Sequence, residues 1–309
     1  MNRKKISIIG AGKVGSTVAQ MLAYKELGDI VLVNRTIGIA KGVALDIAEG
    51  APLANYDVRI KGTGDYNATK NSDVVVITAG LARAPGMSRD DLLFKNAGIV
   101  KDVAKNVSKH SPKSIIIVVT NPLDAMVYLT YKVARFPRNR VMGMAGVLDS
   151  SRFRSFIALE LNMAVEDISA LVLGGHGDFM LPLISYATAG GIPITELLPK
   201  RRIAKIVERT RNAGSEIVKL EKEGSAYYAP AYSAAEMVEA IIKDKKRILP
   251  CAAYLNGEYG IKGIFMGVPV KLGAKGIEKV MEVRLTQNEK KALRKSADDV
   301  KKLVDKLRL

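Results

Sequence analysis

Histidine occurs only twice in the 309 residues, in two different settings. His110 closes an apolar-striped stretch, where the dipole at a helix C-terminus stabilises a cation, and it reads as structural. His176 stands in Gly174-Gly175-His176-Gly177-Asp178, directly after the apolar run Ser169–Leu173. A glycine-rich turn at a strand end is a poor place for packing and a usual one for a reactive side chain. In Leu148-Asp149-Ser150-Ser151-Arg152, Asp149 and Arg152 are spaced to share one side of a helix about one turn apart, although Asp149 could also serve as an N-terminal cap. Arg83 and Arg89 bracket Pro85-Gly86 in a lid-like loop, and Asn121 precedes Pro122 in a pair suited to a cis bond. These types suit hydride exchange between a 2-hydroxy acid and a nicotinamide ring. His176 has the intrinsic basicity to take the hydroxyl proton, and Asp149 would fix its tautomer. Arg152 would grip the substrate carboxylate, Arg89 would polarise the carbonyl on loop closure, and the Asn121 amide would donate to a substrate oxygen. Arg83 is then left for a second acidic group, which points to a dicarboxylate.

The cofactor half of that chemistry has its own signature. Gly10-Ala11-Gly12-Lys13-Val14-Gly15 follows the apolar run Lys5–Ile9, opens an amphipathic stretch, and meets a second apolar run, Asp29–Val33, about 20 residues on. Gly10 permits the tight turn, Gly12 lets backbone approach a pyrophosphate, Gly15 lets helix pack on strand, and free N–H groups at the helix start face the anion. The second run ends in Asn34-Arg35-Thr36 rather than in an acid. An acid there would bind the ribose hydroxyls and repel a 2′-phosphate, so this sequence favours NADP, with NAD still possible and Arg35 otherwise a solvated charge.

These residues need a frame that brings strand ends together. Up to residue 145, apolar runs alternate with helical patterns: candidate strands are Lys5–Ile9, Asp29–Val33, Asp57–Gly62, Asp73–Ile77, Ser114–Val119 and Val141–Met144, with helices over Ile37–Ala51 and Asp90–Lys109. Unbroken Val/Ile runs suit a parallel sheet covered on both faces, so an α/β, doubly wound sheet is expected over 1–145, with ligands at the strand tips Gly10, Asn34, Thr78, Gly80 and Asn121. Asn96 falls on the apolar stripe of the second helix, either as a structural hydrogen-bonder or facing the cofactor. Residues 146–309 read as an α+β substrate domain. It has helices over Ile203–Leu220 and Thr286–Leu307, the latter opened by a Thr286/Glu289 capping box, and antiparallel strands at Ile248–Leu255 and Gly263–Val270. Gly224 to Pro230 joins two helices.

Composition narrows the setting. One cysteine, Cys251, excludes an intrachain disulfide and suits a reducing, cytoplasmic compartment. The basic start, Asn2 to Lys5, imitates a secretory signal, but Lys13 interrupts the apolar run, and no run approaches the roughly 20 apolar residues of a membrane span. The net charge of +17 comes from scattered clusters without aromatic platforms, so it reads as a basic surface that attracts anions rather than as a specific nucleic-acid site. Two glutamines and abundant Lys, Arg and Glu are faintly thermophilic in flavour.

The glycine motif, Arg83 to Arg89, Thr120-Asn121-Pro122, Leu148 to Arg152 and Gly174 to Asp178 together resemble the lactate/malate dehydrogenase family, in order and over essentially the whole chain. The resemblance implies a Rossmann sheet, a His176–Asp149 proton relay, Arg89 and Arg152 on the substrate, and Arg83 selecting malate over lactate. It also implies cofactor contacts from Asn96, Val119 and Asn121, no metal, and a homo-oligomer, tetramer more readily than dimer. Lactate or another 2-hydroxy acid is the alternative substrate. A metal- and NAD-dependent glycosidase would want a Cys/His cluster that this sequence lacks, and a nucleotide- or nucleic-acid-binding protein would leave His176 and Asp149 without work.

Overall fold

The computed structural model describes residues 3–82, 86–222 and 224–308. Its first part alternates strand and helix: β1 (Lys5–Ile9), α1 (Lys13–Tyr24), β2 (Asp29–Val33), α2 (Ile37–Ala54), β3 (Ile60–Thr63), β4 (Val74–Ile77), α3 (Arg89–His110), β5 (Ile115–Val118), α4 (Leu123–Ala134), β6 (Val141–Gly143) and α5 (Gly146–Leu161). The second part holds β7 (Ile168–Ser169), β8 (Val172–Gly174), β9 (Met180–Pro182), β10 (Thr188–Ala189), β11 (Ile192–Pro193), α6 (Ile194–Leu197), α7 (Lys200–Glu221) and α8 (Tyr228–Ile242). It ends with β12 (Arg247–Asn256), β13 (Lys262–Gly273), β14 (Gly276–Val280) and α9 (Gln287–Asp305).

β1 to β6 form a parallel sheet in the order 3-2-1-4-5-6, so the strand order reverses between β1 and β4. Their side chains explain this arrangement. Val74 to Ile77 and Ile115 to Val118 are buried without alternation, as strands covered on both faces must be. The sheet does not stop at β6. β12 joins it antiparallel through Ala252 opposite Gly143, followed by β13, β8 and β9, so the mixed sheet runs without a break from the first part into the second. The strand that ends at Gly174, just before His176, therefore belongs to the same sheet as the strands that lead into Gly10 and Thr78.

Several expected boundaries moved, two of them for reasons visible in the bonding. The third strand starts at Ile60 rather than Asp57, because the Asp57 and Arg59 amides donate to Glu26 Oε1 (3.0 Å) and Asp29 Oδ1 (3.1 Å) instead of to a neighbouring strand. The run Ser169–Leu173 divides: Ile168–Ser169 pairs with β10 in a small second sheet, while Val172–Gly174 pairs with β13 and β9. The Val172 amide donates to Ser150 Oγ at 2.8 Å, fixing the point of transfer. The expected Thr286/Glu289 capping box opening α9 has its reciprocal bonds, and a second box, Ser88/Asp91, opens α3.

One electrostatic tie holds α8 to the end of α1. Glu239, nearly buried, accepts from Lys245 (2.6 Å), Lys25 (2.8 Å) and Lys243 (3.2 Å), and these charged hydrogen bonds depress its carboxyl to about 2 against the burial that opposes them. A depressed carboxyl stabilises the fold above its unfolded value near 4.5, and that contribution is lost as pH falls toward 2. Glu239→Gln is expected to destabilise the protein by about 1–3 kcal/mol near neutral pH. Urea unfolding should show the gap to the native chain closing as pH is lowered through that window; a gap independent of pH would refute the tie.

Candidate active site

The glycine turn divides its labour as the spacing requires. Gly10 adopts φ +115°, and a Cβ there would meet the Ala79 amide nitrogen and Thr78 Oγ1 at 2.7 Å. A Cβ on Gly15 would lie 1.9 Å from the Gly10 carbonyl, so helix α1 can approach β1 only because the side chain is missing. Gly12 has nothing within 4 Å of its would-be Cβ and is exposed. Open space over Gly12, at the start of a helix and at the reversal of strand order, is what a dinucleotide pyrophosphate requires.

Around this turn the strand tips are tied together. Thr78 Oγ1 donates to the Gly10 carbonyl (3.0 Å), and Asn34 Oδ1 accepts the Ala11 amide (3.2 Å) while its Nδ2 donates to the Thr36 carbonyl (3.2 Å). Arg35 and Thr36 are exposed, and no ion pair of Arg35 is found among the described residues. Lys13 Nζ lies 5.3 Å above the ring of Tyr227, linking the glycine turn to the segment before α8, and Val14 packs against the core. Val119 is buried at the end of β5, beside Thr120, whose Oγ1 donates to the Ala79 carbonyl (2.8 Å). Gly80 leaves room for that threonine: its would-be Cβ lies 2.5 Å from Thr120 Cγ2.

Asn96 joins two strand tips. It is fully buried, accepts the Leu81 amide (2.8 Å), and spends its amide hydrogens on the carbonyls of Leu81 (3.1 Å) and Asn121 (2.6 Å). These bonds tie the tip of β4 to the tip of β5. Asn121 is exposed and joined to Pro122 by a cis peptide bond.

The second constellation is electrostatic. Asp149 lies inside α5, not at its cap: Ala145 takes the cap position, and the Asp149 side chain turns inward. Its Oδ2 is 2.9 Å from His176 Nδ1, and its Oδ1 is 3.8 Å from Arg152 Nη1. Side-chain exposure is 2% for Asp149, 13% for Arg152 and 15% for His176, so the three charges share a largely dry space. Burial pulls the imidazole toward neutrality, but the charge and hydrogen bond of Asp149, helped by Asp124, leave His176 more basic than usual. Burial likewise pulls Arg152 down against the favourable field of Asp149. Arg89, at the first turn of α3, donates through Nη2 to Asp178 Oδ2 at 2.5 Å, which brings it to the rim of the histidine turn. Arg83 lies outside the described residues. Sequence reasoning missed Asp124 and Ser296, both buried and both bonded to the histidine turn. An acid in the apolar run Leu123 to Val127 was the available signal for Asp124; an isolated serine gave none for Ser296.

Comparison with known proteins agrees with this geometry. Residues 4–143 match the family model described as lactate/malate dehydrogenase, NAD binding domain, and residues 146–308 match its alpha/beta C-terminal domain. The chain belongs to the lactate/malate dehydrogenase family. A malate dehydrogenase of Halalkalibacterium halodurans is 60% identical over 309 residues, covering 99% of this chain and 98% of that protein. Among solved structures, malate dehydrogenase from Salinibacter ruber is 53% identical with a TM-score of 0.94, covering 98% of this chain and 97% of that one. Lactate dehydrogenase from Cryptosporidium parvum, solved with lactic acid and nicotinamide adenine dinucleotide, is 42% identical with a TM-score of 0.97, covering 100% and 99%. Family membership gives the chain a nicotinamide cofactor and lends no support to a preference for NADP. Among the described residues, no group of three or more His, Cys, Asp or Glu could hold a metal, and no helix is long and apolar enough to cross a membrane.

The two glycines should separate binding from folding. Gly12→Ala, at φ −77° with open space around it, should fold normally yet weaken dinucleotide binding by about tenfold or more, ~1.4 kcal/mol. Gly15→Ala should cost about 3 kcal/mol of stability. Calorimetric titration and thermal melts would check both, and unweakened binding in Gly12→Ala would refute the assignment.

Proposed function

We propose that this protein catalyses reversible hydride transfer between (S)-malate and oxaloacetate. The observation that carries the reading is His176 Nδ1 on Asp149 Oδ2 at 2.9 Å with Arg152 alongside, in a chain whose relatives at about 60% identity are malate dehydrogenases. Lactate dehydrogenases share the fold at lower identity, so the preference for malate rests on those relatives and on Arg83 as partner of the second carboxylate.

The nicotinamide ring, when bound, supplies or accepts the hydride. Gly10, Gly12, Lys13, Val14 and Gly15 would hold the pyrophosphate region, and Thr78, Gly80 and Val119 would wall the crevice. The arginines act on the substrate: Arg152 grips the carboxylate next to the reacting carbon, Arg89 leaves Asp178 to polarise the carbonyl, and Asn121 donates to the same oxygen. His176, its Nδ1 held by Asp149, takes the hydroxyl proton at Nε2 during oxidation and returns it during reduction. We place the division between dinucleotide and substrate domains at 145/146, in keeping with the two family matches.

For the cofactor, two readings are distinguished by what surrounds Asn34. An exposed Arg35 with no ion pair among the described residues is available to a 2′-phosphate. Against this, Asn34 is already bonded to the glycine turn, which leaves a neutral ribose pocket that suits NAD equally, and the family description favours NAD. We also propose a homo-oligomer, tetramer before dimer. α2 buries only Ala40 and Ala44 and leaves Ile37, Leu45 and Leu53 exposed at 49%, 60% and 88%, an apolar face that a second copy would cover; sedimentation would read the mass. The single buried cysteine is in keeping with a cytoplasmic setting, which fractionation would check.

The deciding assay compares oxaloacetate and pyruvate reduction with NADH and NADPH. Oxaloacetate should be strongly preferred, and Arg83→Gln should lower its kcat/KM by about 100-fold while pyruvate changes little. Equal losses would remove Arg83 from its role, and no activity with either cofactor would overturn the function. The cofactor with the higher kcat/KM assigns Arg35, to the 2′-phosphate if NADPH or to the surface if NADH.

The pH dependence has a definite sign. Reduction needs the imidazolium, so its kcat/KM should fall as pH rises through the elevated value of His176, and malate oxidation should show the opposite limb. Asp149→Asn should move both inflections to lower pH and reduce kcat by about 10²–10⁴-fold. Unmoved pH–rate profiles would show that Asp149 does not act on the proton.

A further inference from the structure

The turn that carries His176 is fastened from two sides by residues outside the His176–Asp149–Arg152 group. From α4, Asp124 Oδ2 accepts the backbone N–H of His176 at 2.9 Å. From α9, Ser296 Oγ accepts the Gly175 amide (2.9 Å) and donates to the Phe179 carbonyl (2.6 Å). The fit is close, since a Cβ on Gly175 would lie 2.5 Å from Val300 Cγ2 and 3.3 Å from Asp124 Oδ2. Asp124 is 2% exposed, and its Oδ1 has no hydrogen-bond partner among the described residues. As a mere support a carboxylate is a poor choice. Asparagine or serine could accept the same N–H without the desolvation cost of a buried charge, several kcal/mol. The charge calls for a different explanation, and the cation in front of it is His176.

We propose that Asp124 is a positioning residue for His176: it fixes the backbone of the histidine turn and adds, behind the ring, a second negative charge that holds the imidazolium form. The proposal rests on His176 being the proton carrier. The charged groups acting on the ring are Asp149 and Arg152 from α5 and Asp124 from α4, while Asp178 and Arg89 pair with each other at the rim; from α9 the turn meets the neutral Ser296 and Val300. With imidazolium present, Arg152 and His176 balance Asp149 and Asp124, and the enclosed group is neutral. Loss of the ring proton leaves one uncompensated negative charge. Burial pushes the Asp124 carboxyl up to about 7 against the opposing hydrogen bond and charge of His176, so Asp124 can take up a proton in that state and restore the balance. The two groups then titrate as a pair.

The chain has only two histidines, so ring resonances in a proton–carbon NMR titration give one reporter, His176, and one internal control, His110. Asp124→Asn keeps an oxygen for the His176 amide but removes the charge. It should lower the titration midpoint of His176 by about 1 unit and leave His110 unmoved. Ser296→Ala loosens the same turn without changing charge and should leave the His176 midpoint in place. An unchanged midpoint in Asp124→Asn, or an equal shift in Ser296→Ala, would overturn the proposal. If the Asn variant does not fold, carboxyl-labelled aspartate in the native chain reads the same coupling: a buried carboxyl that titrates with the His176 ring supports it, and none titrating between about pH 5 and 9 overturns it. Oxaloacetate reduction by the native chain keeps the two readings apart, because a coupled titration in an inactive protein would sink the function and leave the coupling intact.

Discussion

Asp149 lies in the interior with a basic side chain on each side of it. An isolated carboxylate at that burial would cost many kcal/mol and would take up a proton instead. His176 at 2.9 Å and Arg152 at 3.8 Å offset that cost, and in return the imidazole is held at a defined place. The imidazole gains basicity while one nitrogen is committed to Asp149, which leaves the other directed away from the carboxylate. The guanidinium gains a counter-charge while part of its fork remains for another anion. Each of the three is costly to bury alone, and together they form an arrangement that already contains the polarity of a hydroxy-acid site.

Such an arrangement needs rigid elements beneath it, and the continuous mixed sheet supplies them. β1 and β4 set the tips that carry Gly10 and Thr78, β5 leads through Val119 and Thr120 to Asn121, and β8 ends at Gly174, all four strands within one hydrogen-bonded sheet. The junction between β6 and β12 is narrow, with Ala252 paired opposite Gly143, and small residues on both sides let the strands meet. Helix α5 begins three residues after β6 and carries Asp149 toward the turn after β8. The glycine turn and the His176–Asp149–Arg152 group are therefore referred to one sheet rather than to two bodies that must find each other, which is what positioning to a few tenths of an ångström demands.

What the sequence revealed and what it hid follow from the range of the forces involved. β1 and β2 lie at the expected Lys5–Ile9 and Asp29–Val33, and the Thr286/Glu289 cap formed, because periodicity and capping are local. The paired motifs around His176 and Asp149 were legible because glycine turns and one-turn spacings are local too. The split of Ser169–Leu173 into two strands was hidden, since it depends on which distant strands are available as partners. Asp124 and Ser296 were hidden for the same reason: their bonds to the histidine turn span 52 and 121 residues. Asn96 shows the intermediate case, with its place on the buried stripe readable and its partners not.

The rim of the site is governed by weaker forces than its floor. The Arg89–Asp178 pair is 69% and 58% exposed, and an ion pair in that setting contributes at most about 1 kcal/mol. A substrate carboxylate or polarised carbonyl in a drier cleft offers a guanidinium more than that, so the pair holds Arg89 close to the histidine turn without committing it there. Arg152, 13% exposed and beside a buried carboxylate, stands in contrast, and under the proposed function the two arginines would be used differently. An arginine that must be in place before the substrate arrives belongs on a helix inside the fold. One that completes the site by moving belongs at the end of a loop, held by a contact that costs little to break.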